Sequence, residues 1–580
     1  MLKINRNIFW SNLFIDFLVN KGLKSACISP GSRSTPLTLV TATNKLIKSF
    51  PIVDERSSAF FALGISKTSN FPALIITTSG TAVAELYPAI IEAYQSRIPL
   101  IVCTADRPAY LRNTGSNQTI NQKNIFKNHI RFSSDIPMKE ITKTNIKKFL
   151  TLISEGVDIC LRKDIGPVHF NFQFEKPFEP DSYTDKIPIH LVDYSIKHSQ
   201  ALLENKIIND SNHHNSEFNL QNKIINLITV GNGNFNNDFT KLLNLLTVKY
   251  NIPIFADFSS GLRSNNLKLN NLIYNYDSLL RCDEFQSYFK PKQIIHFGRS
   301  ITSTILEDYL VKNKSKRIIV NEFGDRFDSA KKGKIIKSDP VNFLKSLLKE
   351  NLKVNSKDTI LNLLSLDSEI EVIKTDTFSN IFSEVELLKI LISKIPDDCS
   401  VFIGNSLPIR DFDFFISKVE KKIKIFTNRG ASGIDGIIST AAGISANNKK
   451  PTFLILGDLS FFYDLNSLLP IRNFNIPLKI ILLNNYGGRI FEYLPIASYK
   501  KVFHKFFLTP TDLDFRKVAE SFSIDYLFSD NSDDLIKNLD MLNKIKSSVI
   551  LEVKVNPFIT KSLKKVFRER ICKLISKKLS

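Results

Sequence analysis

A chain of 580 residues is too long for one hydrophobic core and predicts about three domains of ordinary size. Its 43% hydrophobic and 23% charged residues are those of a soluble globular protein, and its longest apolar runs, such as Ile480-Ile481-Leu482-Leu483, are far too short to span a bilayer. The net charge of +21 would suit a nucleic-acid ligand, but Lys is abundant along the whole chain and is not gathered on one element, so no nucleic-acid partner is expected.

The N-terminus, Met1-Leu2-Lys3-Ile4-Asn5, has neither the apolar core of a secretory signal nor a transit-peptide pattern. A cytoplasmic location is expected, or the plastid stroma for an organelle-encoded chain. Residues 1–182 alternate short apolar strands with helical patterns, as parallel α/β domains do. "SACISPG" (25–31) and "ALIITTSGT" (73–81) are each a strand and a turn. From Val83 the apolar positions Leu86, Tyr87, Ile90, Ile91 and Tyr94 have helical spacing. "PLIVCTADRP" (99–108) is a strand ending in a charged loop, and "GPVHFNFQFEKPFEP" (166–180) a strand running into a Pro-punctuated linker.

Residues 183–375 form a second unit, with strands expected in 225–234, 252–261, 293–300 and 317–322 and Asn-rich loops near 205–223 and 265–276. Gly231 and Gly233 hint at nucleotide binding, but without a third glycine a plain strand–turn reading has more weight. Residues 376–580 hold strands in 399–406, 422–428, 451–458, 477–485 and 548–555, again a parallel α/β pattern. The six cysteines are far apart, with neither metal-ligand spacing nor a disulfide framework, which suits a reducing compartment. The tail from Lys561 to Ser580 is basic and amphipathic, a solvated closing helix or a surface-binding one.

The third segment contains the residues that suggest chemistry. Phe453-Leu454-Ile455-Leu456 is a buried strand, ended by Gly457 and followed at once by Asp458. An unpaired buried carboxylate is not tolerated, so something compensates it. Helix capping would explain Asp458 alone. It leaves unexplained the second strand, which ends in Asn484-Asn485 and runs into Tyr486-Gly487-Gly488. Carboxylate, amide and free carbonyl oxygens at neighbouring strand ends suit Mg²⁺, which completes its shell with phosphate and water.

"GDLS" (457–460) followed by "NN" (484–485) resembles the thiamine-diphosphate motif, normally GDG and then NN, with Leu459 in place of the last glycine. The chain is similar to one branch, the 2-succinyl-5-enolpyruvyl-6-hydroxy-3-cyclohexene-1-carboxylate synthase family. The blocks that carry the resemblance run over nearly the whole chain: "ISPGSRSTPLTL" (28–39), "DERSSAFFALG" (54–64), "TTSGTAVAELYPAIIEA" (77–93), "DRP" (106–108), "GSNQTINQ" (115–122), "GNSLPIRD" (404–411), "NRGASGIDG" (428–436) and "NNYGGRIFEYLP" (484–495).

The resemblance implies three parallel-sheet α/β domains of the thiamine-diphosphate-binding type. These are a pyrimidine-binding domain (1–182), a central domain (183–375) and a diphosphate- and metal-binding domain (376–580). It implies a transferase that decarboxylates 2-oxoglutarate on thiamine diphosphate and joins the succinyl-semialdehyde carbanion to isochorismate by 1,4-addition. CO₂ is released on the way to menaquinone or phylloquinone. Glu55, read alone, is a first-turn helix acid. The resemblance makes it the catalytic carboxyl that donates to the aminopyrimidine ring. Ile434 would wedge the bent cofactor, and Ser406, Leu407, Gly457, Leu459 and Ser460 would hold it. Asp458, Asn485 and the Gly487 carbonyl would bind Mg²⁺ or Mn²⁺. Arg33, Arg107, Arg410 and Arg429 would grip the substrate carboxylates, with Ser32, Asn117, Gln118 and Ser406 as polar partners and Ile490 and Phe491 as an apolar wall.

A homo-oligomer, dimer or tetramer, with its site at the subunit interface is implied too. Thr304 and Ile305 stand where the family has a Lys-Arg pair, so either Arg299 supplies that charge from another angle or the isochorismate contacts are weaker; Arg489, in a turn that often carries Gln or Gly, would add a positive charge. Pro470 falls inside the apparent helix beginning near Asp464, which suggests an early helix end. The alternatives are another thiamine-diphosphate-dependent 2-oxoacid decarboxylase or acetolactate-type synthase, for which a flavin site in the central domain would speak, and, remotely, a basic nucleic-acid-binding protein.

Overall fold

The structure is a computed structural model that describes residues 1–69, 71–204, 223–264 and 269–579. The expected loop at 205–222, and 265–268 of the second one, lie outside the described residues. Three parallel sheets organise the chain. The first has the order Lys48–Pro51, Ser25–Ile28, Leu74–Thr77, Leu100–Asp106, Pro167–Gln173, Phe132–Pro137. The last has the order Ile423–Phe426, Cys399–Ile403, Thr452–Gly457, Leu478–Asn484, Val549–Lys554, Asp525–Ser529. Counted in chain order within each sheet, both run 2-1-3-4-6-5, so the first and third segments share one architecture. The central sheet, Ile254–Ala256, Leu227–Val230, Gln293–Phe297, Lys316–Asn321, Lys334–Lys337, runs 2-1-3-4-5.

Six strands were not foreseen: Leu2–Ile4 and Asp185–Ile187, which pair as a small antiparallel sheet, and, in the three parallel sheets, Lys48–Pro51, Phe132–Pro137, Lys334–Lys337 and Asp525–Ser529. The last four are edges of their sheets, where one side meets solvent and the sequence has no continuous apolar run. The helix expected from Val83 is two helices, Thr81–Glu85 and Tyr87–Ser96, broken at Leu86 because Pro88 starts the second. Pro470 is explained in the same way. The chain forms Asp458–Tyr463, a 3₁₀ turn Leu465–Ser467 and a new helix Leu468–Asn473, so the proline occupies a first turn, where a missing N–H costs little.

The outer sheets meet through the helices Glu55–Ser66 and Ile437–Asn447, whose backbones touch at two glycines. A Cβ on Gly64 would lie 2.0 Å from the Thr440 carbonyl oxygen, and one on Gly443 2.0 Å from that of Phe61. Beside them, buried Glu92 accepts from the N–H groups of Gly430 (2.9 Å) and Ala431 (2.6 Å), tying the first unit to the loop of Arg429.

In the central sheet the turns after the first and third strands pack backbone to backbone. Arg299 N donates to Asn232 O at 2.8 Å, and a Cβ on Gly231 would lie 1.8 Å from Arg299 O. The crevice that would take a nucleotide there is filled, so Gly231 and Gly233 serve a strand and a turn.

The basic tail is a packed helix, Pro557–Leu579. It buries Thr560, Phe567, Ile571 and Ile575 and runs beside Lys357–Phe378 and Asp283–Tyr288 of the central unit. Cys572 on it pairs with Cys282, Cα atoms 5.5 Å apart, a disulfide where the scattered cysteines showed no framework. Two cysteines 290 residues apart give no spacing signal, so only the fold could join them.

Gly443→Ala should force the two helices apart despite the better helix former, lowering stability by about 1–3 kcal/mol. A fall in the thermal midpoint checks this; an unchanged midpoint would contradict the close approach.

Candidate active site

In an open α/β sheet, ligands sit where the strand order reverses, beyond the carboxyl ends of the strands. In the first sheet that point lies between Ser25–Ile28 and Leu74–Thr77. The turns leaving these strands line a cavity of about 440 Å³ with Pro30, Gly31, Ser32, Arg33, Glu55, Thr78, Thr81, Glu85, Arg107, Gln118, Lys176 and Phe178 among its walls. Five expected residues meet here: Ser32, Arg33, Glu55, Arg107 and Gln118. Asn117, exposed beside Gln118, is not part of the wall.

Glu55 opens its helix behind Asp54, whose carboxylate caps the N–H groups of Arg56 (3.0 Å) and Ser57 (3.3 Å). The cap leaves Glu55 free to face the cavity. Burial, and then the charges of Asp54 and Glu85, push its carboxyl upward, toward the protonated form that can donate.

Arg33 is held by Phe174 O at 2.8 Å and stacks on Phe178, while Arg107 donates to Ser79 Oγ and to Gln118 O at 2.7 Å. Burial lowers both, and Arg107 further lowers Arg33. Two guanidiniums repelling each other across one cavity are an anion site. Gln122, not singled out in the sequence, fixes this wall. It is fully buried, accepts from Gly80 N (3.1 Å) and donates to Ala105 O (3.1 Å) and Asn171 Oδ1 (2.9 Å).

The same reversal point in the last sheet lies between Cys399–Ile403 and Thr452–Gly457. Asp458, 2% exposed, accepts from Gly487 N (2.7 Å) and Leu459 N (2.9 Å), so the two strand ends are joined through its carboxylate. Burial pushes its carboxyl up against those donors and the charge of Arg489. A cation beside it would relieve that cost. Asn485 donates its amide to Glu384 Oε1 at 2.9 Å, and Gly487 has φ 110° with its carbonyl accepting from Arg489 N at 2.8 Å.

The adjacent asparagine turns the other way: Asn484 donates to Glu552 (2.7 Å) and accepts from Tyr486 N (3.2 Å). The Asn pair thus divides into one strand tie and one candidate ligand. Arg489, expected to add charge, is matched by Glu492 at 2.6 Å and holds Asn485 O at 2.9 Å, which makes it a clasp for the loop. Leu459 needs no glycine in its place because its φ is not positive.

A cradle for a diphosphate adjoins this loop. A Cβ on Gly457 would meet nothing within 4 Å, so the backbone there borders open space. Ser406 precedes the helix Leu407–Phe415 with φ 73° and ψ −130°, a conformation rare outside glycine. Asn405 ties the turn to Asn428 O (2.8 Å) and Gly433 O (2.7 Å), and the side-chain oxygens of Asn405 and Asn428 are buried without a partner. These features fit an anionic group lying on the turns of 404–407 and 457–460.

Arg410, anchored by Ser406 O at 2.7 Å, is lowered by burial and by Arg429, a second repelling pair. Ile434 is half-buried and outside the hydrophobic clusters, as are Ile490 and Phe491, both in the 3₁₀ turn Arg489–Tyr493. Ser460 is buried in the first turn after Asp458.

The two half-sites do not merge within one chain: no residue of the last sheet lines the Glu55 cavity. Thr304 and Ile305 start a helix of the central unit, Thr304 exposed and Ile305 packed on its helices, away from that cavity. Arg299 donates to Gln95 O and, lowered to about 10 by burial, faces the junction with the first unit.

Comparison with known proteins agrees with this geometry. Residues 10–125 match the profile described as thiamine pyrophosphate enzyme, N-terminal TPP binding domain, and residues 415–553 the corresponding C-terminal TPP binding domain. The chain is similar to three curated proteins named 2-succinyl-5-enolpyruvyl-6-hydroxy-3-cyclohexene-1-carboxylate synthase. That of Listeria monocytogenes serotype 4b is 35% identical over 549 residues, and that of Oceanobacillus iheyensis 34% over 555, each match covering 94% of both chains. That of Chlorobium phaeovibrioides is 34% identical over 552 residues, 93% of both chains.

Ser406→Gly should relieve the local backbone strain and raise stability by about 1 kcal/mol. A higher thermal midpoint is expected, and a lower one would show that the hydroxyl has a structural bond that outweighs the strain.

Proposed function

This chain belongs to the 2-succinyl-5-enolpyruvyl-6-hydroxy-3-cyclohexene-1-carboxylate synthase family of thiamine-diphosphate-dependent enzymes, and on that premise we propose how its residues divide the work. Its substrates are 2-oxoglutarate and isochorismate, joined with loss of CO₂. The observation that carries this reading is the pairing of Arg33 with Arg107 around Glu55, matched by the pairing of Arg410 with Arg429 beside the cradle. Two dicarboxylates need that density of unneutralised guanidinium, and a small monocarboxylate does not.

Bound thiamine diphosphate supplies the carbon nucleophile and the electron sink for decarboxylation. Asp458, Asn485 and the Gly487 carbonyl would hold Mg²⁺ or Mn²⁺, and the turns of Ser406, Leu407, Gly457, Leu459 and Ser460 would hold the diphosphate. Glu55 keeps its proton and shares it with the aminopyrimidine nitrogen, which a raised carboxyl favours. Ile434 would pack against the cofactor, and Ile490 and Phe491 would supply an apolar wall. Ser32 and Gln118 would hydrogen-bond substrate oxygens, whereas Asn117, off the wall, is left out of that role. The domain limits follow as 1–182, 183–375 and 376–580, with the last helix leaning back on the central unit.

Two copies complete the site. The Glu55 cavity lacks any wall from the last sheet, and Val53, Phe462 and Tyr463 at the edges of the two half-sites are exposed apolar residues of the kind an interface covers. The reaction takes place in the cytoplasm or the plastid stroma.

With thiamine diphosphate and Mg²⁺, the purified protein should consume isochorismate only when 2-oxoglutarate is present, releasing CO₂ in equal amount. Consumption with pyruvate instead would reject the substrate assignment. Glu55→Gln should cut turnover by about 10²- to 10⁴-fold. Co-expressing Glu55→Gln with Asp458→Ala should restore about a quarter of parental activity, because a hybrid dimer then holds one intact composite site. No restoration would place both residues in one subunit's site.

A further inference from the structure

We propose that Glu384 is the positioning residue of the cation site: it holds the Asn485 amide by its nitrogen, so that the oxygen is the end left to the metal. The inference rests on the reading of Asp458, Asn485 and Gly487 as the ligand set. Glu384 looks like an ordinary first-turn acid of the helix Glu384–Lys394, behind the cap Ser383, and nothing in its local sequence marks it. It is nevertheless 6% exposed, and its Oε1 accepts from Asn485 Nδ2 at 2.9 Å across 101 residues of chain.

A carboxylate has no proton to offer, so only the NH₂ end of an amide can face it. The carbonyl end then points elsewhere, and among the described residues no hydrogen bond reaches Asn485 Oδ1. Asn484 is the internal contrast, since both ends of its amide are bonded, to Glu552 and to Tyr486 N. One of two adjacent asparagines therefore keeps a free oxygen, and Glu384 decides which end of that amide is free.

Glu384 is itself held by the C-terminal helix. Its N–H donates to Thr560 Oγ1 at 3.2 Å. Burial raises the Glu384 carboxyl, and the charge of Lys564, which one turn on pairs with Asp411 at 2.7 Å, works against that rise. Lys561 reaches Glu492, the partner of Arg489, at 3.3 Å, so this same end of the helix also braces the loop from outside. Phe567, Ile571 and Ile575 fix the rest of the helix in the central unit's core. The basic tail thus works as a strut behind the cation site.

Partners of this kind, one bond removed from the metal, typically set affinity by about 10–100-fold. The test titrates Mn²⁺ into the full-length protein with saturating thiamine diphosphate and reads free Mn²⁺ by electron paramagnetic resonance. Glu384→Leu should weaken Mn²⁺ binding by about 10–100-fold. Glu384→Gln should weaken it less, since its amide oxygen can still accept from Asn485. In both, thiamine diphosphate affinity should return to the parental value once Mn²⁺ saturates, a recovery that damage to the fold would not allow. If Glu384→Leu does not fold, Glu384→Gln decides. Parental Mn²⁺ affinity in the folded variants overturns the inference, as does a loss of cofactor binding that saturating Mn²⁺ does not restore. Asp458→Ala is the control: if it too binds Mn²⁺ as the parent does, the ligand set itself is wrong, whereas if it alone loses Mn²⁺, only the role of Glu384 falls.

Discussion

The burial of one carboxylate, Asp458, at the carboxyl end of a central strand governs the arrangement of the last sheet's loops. Its two oxygens are occupied by the N–H groups of Leu459 and Gly487, and burial still raises the energy of its charge. That cost asks for two things, a loop after the neighbouring strand that is held close and the cation proposed for this site. The positive φ of Gly487, the clasp of Arg489 on Asn485 O and the contact of Glu384 with the Asn485 amide all serve the first requirement. The proposed metal oxygens meet the second.

A second constraint is architectural. The first and last sheets have the same strand order, and each opens its loops at the same reversal point. One carries Glu55 with Arg33 and Arg107, the other Asp458 with Arg410 and Arg429. Using one topology twice gives two complementary half-sites, an acid-bearing cavity and an anion cradle. The central sheet, of closely related order, has its corresponding crevice closed by the contact of Gly231 with Arg299.

Three turns at the half-sites hold left-handed backbone. Gln118, Ser406 and Tyr486 are non-glycine residues with positive φ, and all three border the half-sites. Their neighbours hold them there: Gln118 through Ser79 O, Ser406 through Arg410 and Tyr486 through Asn484. Such conformations persist only where surrounding bonds outweigh their cost, which is about 1–3 kcal/mol each.

Much of this was legible in the residues. Buried parallel strands announce themselves as apolar runs, which is why the central strands of all three sheets were readable and the four polar edge strands were not. The blocks around Glu55, Asp458 and Asn485 pointed to the family through their resemblance to its motifs, because residue type and spacing within a motif are local properties. What depends on distant segments meeting was invisible. The bond of Glu384 to Asn485, the bond of Glu92 to the loop of Arg429, the pairing of Cys282 with Cys572 and the packing of the basic tail as a strut each join positions a hundred or more residues apart. No periodicity or motif encodes such a meeting; only the folded chain, by bringing those backbones within reach, decides it.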